Sequence, residues 1–88
     1  MQKKIFFSHH AQLKFQLLRR HGIHFTETHI ENAVNNPDIV LEAEKSRKIA
    51  QKALDAKRVI RVIFEVKNGS IIIITFYPAR RSRYENKL

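Results

Sequence analysis

The chain has no cysteine. A disulfide framework, a cysteine-held metal and a thiol nucleophile are therefore excluded, and the composition fits a protein of the reducing cytoplasm. Only two glycines occur, Gly22 and Gly69. No glycine-rich loop exists to wrap a nucleoside triphosphate, which closes that route to nucleotide binding. Apolar runs are short, far below the roughly 20 residues of a membrane span. The first residues, Met1-Gln2-Lys3-Lys4-Ile5-Phe6-Phe7, are interrupted by His9 and His10. A signal peptide needs roughly 7–15 apolar residues, so this segment reads as a mature start. No serine-hydrolase motif, linker, repeat or low-complexity segment is present. The 88 residues are expected to form one domain, 1–88, large enough for a single core but near the small end of what is stable.

What the chain has is positive charge, unevenly placed. The formal net charge is +9. Residues 1–24 carry Lys/Arg and no acid. Residues 25–44 carry Glu27, Glu31, Asp38, Glu42 and Glu44 and no Lys/Arg. From residue 45 onward bases dominate again. Segregation of this kind gives an acidic side and a basic side. A basic face concentrates nucleic acid and speeds its association.

Local patterns place the elements. Lys3 to Phe7 is a short strand candidate. Ser8 stands where a helix N-cap is wanted, residues 9–21 read as a helix, and Gly22 as its stop. Thr26 is a second N-cap, opening a helix to about Asn36 that Pro37 ends. Ile39 to Glu44 reads as a strand. Arg58 to Val66 alternates, with Ile60, Val62, Phe64 and Val66 on one face and Arg61, Glu65 and Lys67 towards the other. Asn68-Gly69 is a strong hairpin signal. The return strand, 70–77, holds Ile71 to Ile74 and is apolar on both faces, which suits an interior position in the sheet. Residues 45–57 have high helix propensity, and local reasoning alone makes them helical.

Two constellations carry chemistry. The isoleucine strand ends in Tyr77-Pro78-Ala79-Arg80-Arg81-Ser82-Arg83-Tyr84, a group of guanidiniums flanked by two phenols. Such a group suits a polyanion. The alternative is a solvated tail in which Tyr77 and Tyr84 only pack. On a helical wheel of residues 9–21, Ala11, Phe15 and Leu18 lie together, with Leu13 and Leu17 at the far end of the same apolar arc. His10, Lys14 and His21 fall inside that arc. Either they sit at its edge and reach water, or they line a cleft between the helix and the sheet. His9, His24 and His29 read as surface residues. His21 and His24 straddle the stop at Gly22, with no carboxylate at zinc-ligand spacing, so no metal is expected.

Phe7-Ser8-His9-His10-Ala11, then Arg20-His21-Gly22-Ile23, then Asn36-Pro37, resembles a small bacterial family with an N-terminal Ser-x-His-Ala box. That family is similar in layout to the BrnT-type and RelE/ParE-type toxins of toxin–antitoxin pairs. The segments Val59 to Glu65 and Ile74 to Pro78 fit the same pattern of paired strands ending in Thr-x-Tyr-Pro. The resemblance spans nearly the whole chain, though each motif is short.

The resemblance implies an α+β fold in β-α-α-β-β-β-β order, with two helices on one face of a twisted, mostly antiparallel sheet. It also makes residues 47–54 a strand, against their propensity. It implies a toxin-like, metal-independent endoribonuclease acting on mRNA, without cofactor, paired with a small antitoxin protein. The alternative is a non-catalytic nucleic-acid-binding or ParE-like target-inhibiting module. In the nuclease reading the ribose 2′-OH attacks the adjacent phosphate, and the protein supplies charge and proton transfer. His10 falls on the histidine of the His-Ala box. Arg81 and Tyr84 correspond to the C-terminal arginine and tyrosine. These three are the expected catalytic residues. Lys14 stands where the family has arginine, keeping the charge without the bidentate fork. With Arg61, Tyr77, Arg80 and Arg83 it is expected to contact RNA.

Overall fold

The computed structural model describes residues 4–84, apart from the side chains of Arg83 and Tyr84. The elements are β1 (Ile5–Phe7), α1 (His9–Arg20), α2 (Glu27–Asn35), β2 (Ile39–Glu42), β3 (Lys48–Ala53), β4 (Arg58–Lys67), β5 (Ser70–Arg80) and a short α3 (Arg81–Tyr84). The strands form one sheet in the order β1-β5-β4-β3-β2. All neighbours are antiparallel except β1, which runs parallel to β5. The two longer helices pack on one face, giving the α+β architecture and element order expected above.

Both helix starts follow from their caps. Ser8 Oγ accepts the Ala11 N–H at 3.0 Å and donates to the Ile74 carbonyl at 3.0 Å. One hydroxyl thus caps α1 and ties it to β5, while the Ser8 N–H reaches the Ile73 carbonyl. α1 stops in a Schellman motif. Gly22 takes φ +79°, its N–H bonds Arg19, and the Ile23 N–H bonds Leu18. Thr26 caps α2 through a capping box whose third helical residue is His29 rather than the usual acid or amide. The His29 Nδ1 accepts the Thr26 N–H at 3.0 Å. Lys52 Nζ donates to the Asn36 carbonyl at the end of α2, a cation where the helix dipole favours one.

Residues 48–53 are indeed a strand. Their side chains alternate between faces, with Ala50 against the helices and Gln51 turned away. The hairpin joining β2 to β3 hid in the sequence because its turn lacks glycine. Lys45 and Ser46 both take φ +61°, and the Arg47 N–H bonds the Glu44 carbonyl. Left-handed conformations cost non-glycine residues roughly 1–2 kcal/mol each. Pairing of β3 between β2 and β4 outweighs that cost and the weak preference for helix. The β4–β5 turn has no such conflict, since Asn68 and Gly69 supply the two positive φ values directly.

The β4–β5 ladder contains one irregularity that fixes the rest. Ile63 faces Thr75 but Phe64 faces Ile73, so Ile74 is an extra residue, a bulge. Ile71, Ile73 and Phe76 therefore share the helix face, and Thr75 and Tyr77 the open face. The helix-side core joins those three to Ala11, Leu18, Ile30, Ala33, Val34, Ala50, Ile60, Val62 and Phe64. Phe15 lies on Phe76 with ring centroids 4.7 Å apart, and Phe25 meets the same ring edge-on at 6.2 Å. Phe76 is wholly buried, worth roughly 1.5–3 kcal/mol for a side chain of its class.

Two stability changes follow. Ser8→Ala removes the cap and the bond to Ile74 and is expected to lower unfolding free energy by about 1–2 kcal/mol in urea titration. Ser46→Gly relieves the left-handed turn and is expected to raise it by about 1 kcal/mol in the same assay.

Candidate nucleic-acid interface

The open face of the sheet carries a polar row where an apolar one would be cheaper. Ile39, Gln51, Arg61 and Tyr77 lie side by side across β2, β3, β4 and β5. Gln51 is 2% exposed and Arg61 6%. Arg61 Nε donates to the Tyr77 Oη at 3.1 Å, and its Nη1 donates to Gln51 Oε1 at 2.6 Å. A buried guanidinium needs such acceptors, because an unmatched charge away from water is costly. Arg61 is therefore an organiser of this face rather than the exposed phosphate grip its alternation suggested. Gln51 was not singled out in the sequence, since it sits in the stretch whose propensity reads as helix.

Three residues further along the same strand pair, roughly 10 Å at strand rise, lies a basic cavity. It measures about 820 Å³ and is lined by Asp55, Ala56, Lys57, Arg58, Arg80, Arg81 and Ser82. Among the described residues, four cations and one carboxylate line it. Asp55 builds the wall. Its Oδ1 accepts the Lys57 and Arg58 N–H groups at 2.8 Å each, closing the β3–β4 turn. Its Oδ2 takes Arg58 Nε and Nη2 at 3.3 and 3.2 Å. The two backbone bonds, followed by the Arg58 side chain, hold this carboxyl below its ordinary value of 3.8. Arg81 Nη1 donates to the Asp55 carbonyl at 3.0 Å, and its own N–H bonds the Lys57 carbonyl, which docks α3 onto the turn. Lys57 and Arg80 are exposed and make no ion pair among the described residues.

The expected site residues divide accordingly. Arg80 and Arg81 line the cavity, and Arg61 and Tyr77 form the adjoining row. The side chains of Arg83 and Tyr84 lie outside the described residues. His10 and Lys14 are elsewhere. They belong to α1, on the opposite side of the sheet from Arg61 and Tyr77. Ala11, Phe15 and Leu18 of α1 pack against Phe7, Ile73 and Phe76, and the cavity of about 490 Å³ that opens between α1 and β1 is lined by Phe6, Phe7, Gln12, Phe15 and Gln16 rather than by His10 or Lys14. His10 is exposed beyond that packing, and Lys14 is half-exposed at its edge. Leu13 and Leu17, assigned to the far end of the arc, are exposed as well. The sequence reading missed Asp55, Lys57 and Arg58. Their signal was an Asp two residues before a basic pair, the spacing of an Asx turn.

Compared with protein-family models, with curated proteins and with solved structures, the chain has no match. Among the described residues no helix is long and apolar enough to cross a membrane.

The polar row can be tested by itself. Gln51→Leu removes the acceptor of Arg61 Nη1 inside the sheet and is expected to destabilise the protein by about 1–3 kcal/mol. Unfolding in urea, with Tyr77→Phe and the double variant completing the cycle, is expected to show non-additive losses.

Proposed function

We propose that this protein is a toxin-like, RNA-directed domain that holds the phosphate backbone in the basic cavity at the end of β4 and β5. One observation carries the reading: Lys57, Arg58, Arg80 and Arg81 converge on a single open cavity in which Asp55 is the one carboxylate among the described residues. Guanidiniums grip phosphodiester oxygens in pairs and stabilise the extra charge of a pentacoordinate transition state. Asp55 is held by the turn and pairs with Arg58, which it orients, so three of the four cations remain without that carboxylate as a partner. The wide mouth suits a strand passing through, not a small molecule enclosed.

The activity proposed is metal-independent cleavage of mRNA in the cytoplasm. The 2′-oxygen attacks the adjacent phosphorus, the bond to the 5′-oxygen breaks, and a 2′,3′-cyclic phosphate and a free 5′-hydroxyl result. Arg81 is the charge-stabilising residue and Tyr84, on α3, the proton carrier. His10 has no part in this step, because it does not line the cavity. An antitoxin protein presenting carboxylates would mask the same cavity. A second reading, binding without cleavage, is favoured by one feature: no histidine lines the cavity among the described residues.

The tests separate the two. Affinity for single-stranded RNA is expected to fall with salt, with a slope of about 0.7 per phosphate neutralised. Lys57→Ala and Arg80→Ala are each expected to reduce that slope by about 0.7. Cleavage in the presence of a chelator, lost in Arg81→Ala with Tyr84→Phe but kept in His10→Ala, supports the nuclease. Salt-dependent binding with intact RNA supports the second reading. Salt-independent binding, or none, removes both.

A further inference from the structure

The sheet ends at β2, and that edge is open. Register and the Ala43 N–H to Arg47 carbonyl bond make Ile39, Leu41 and Ala43 the residues whose backbone groups pair with β3. The N–H and C=O groups of Val40 and Glu42 therefore point outward. All four residues of β2 are exposed, three of them large and apolar: Ile39, Val40 and Leu41. Natural edges are blunted by lysine, bulges or covering elements. β2 is short, and at its start the Asp38 N–H also reaches the Gln51 carbonyl, but among the described residues no lysine within Ile39–Glu42 and no covering element blunts this edge.

Its side chains sort by face. Ile39 and Leu41 lie on the open face, continuous with Ile49 and Ile63. Asp38, Glu42 and Glu44, at alternate positions, fall on the other. Glu42 holds Lys48 at 2.9 Å yet leaves most of its side chain in solvent, and Asp38 accepts the Ala53 N–H at 2.8 Å. The chain as a whole is +9, and this strand lies in the one stretch with acids and no Lys/Arg. On that face the acids form the outer row and Lys48 and Lys52 of β3 the row behind it, Lys48 held by Glu42 and Lys52 by the Asn36 carbonyl, so a strand arriving at the edge meets carboxylates first.

We infer that β2 is a strand-pairing site for an extended segment of a partner protein bearing Lys or Arg at alternate positions with apolar side chains between. The backbone of that segment bonds Val40 and Glu42. Its apolar side chains extend the row of Ile39 and Leu41, and its cations meet Asp38, Glu42 and Glu44. A second copy of this chain fits less well. Antiparallel self-pairing about Leu41 sets Asp38 opposite Glu44 of the other copy and crowds six carboxylates onto one face, where like charges repel. The surface is separate from the basic cavity, so this inference stands or falls independently of RNA binding.

The test uses the full chain and two synthetic peptides, one alternating lysine and valine, the other glutamate and valine. Amide exchange and chemical shifts are followed by NMR. The lysine peptide is expected to protect the Val40 and Glu42 amides and to bind at least about tenfold more tightly than the glutamate peptide. Val40→Pro should abolish the protection while the sheet persists, because that N–H is not in the β2–β3 ladder. Glu42→Lys with Glu44→Lys should weaken lysine-peptide binding about tenfold and leave the backbone untouched. Equal binding of both peptides, binding unaffected by the charge reversal, or no protection of the two amides overturns the inference. Concentration-dependent protection of these amides in the protein alone also overturns it, in favour of self-pairing.

Discussion

The extra residue at Ile74 is the constraint on which the molecule turns. A strand with unbroken alternation would put Ile71, Ile73, Thr75 and Tyr77 on one face. It would also leave Phe76 on the side away from α1 and α2. The bulge shifts the alternation by one. Phe76 enters the core beneath Phe15 and Phe25, and Tyr77 emerges opposite Arg61. The carbonyl displaced by the bulge is not wasted. Ser8 donates to it with the same hydroxyl that starts α1, so sheet irregularity and helix entry are stabilised by one side chain.

From that point the chemistry of the open face follows. The Gln51–Arg61–Tyr77 row can exist only because the bulge delivers Tyr77 to it, and it holds the sheet face rigid next to the β3–β4 turn. The turn is organised by Asp55, which collects two backbone N–H groups and the Arg58 fork. α3 docks on the turn through Arg81. Four cations are thereby gathered by backbone geometry rather than by sequence proximity. Positive charge sits at the end of the long hairpin and negative charge towards the β2 edge, so one small domain offers two surfaces of opposite sign.

Much of the fold was legible in the chain. Ser8, Gly22, Thr26 and Asn68-Gly69 each announced a cap or turn, and Arg58 to Val66 announced its faces by alternation. Other parts were not. Four consecutive isoleucines hide a bulge, because an apolar run looks the same whichever residue is extra. Lys45 and Ser46 hide a hairpin, since neither is a residue that favours left-handed backbone. Of the site, the basic end of β5 was legible from Arg80 and Arg81. The contribution of the turn was not, because it depends on β3 being a strand. For His10 and Lys14 the wheel of α1 left two places open, and they take the one at the edge of the arc: the helix buries only the narrow stripe of Ala11, Phe15 and Leu18, so neither residue is drawn into a cleft.

The proposed seat of RNA at the basic cavity is open to direct test. Titration of isotopically labelled protein with single-stranded RNA, followed by backbone and arginine side-chain chemical shifts, locates it directly. Perturbations are expected at residues 55–58 and 80–82 and across Gln51, Arg61 and Tyr77, with α1 silent. Shifts concentrated on His10 and Lys14, with the β3–β4 turn unchanged, would contradict it.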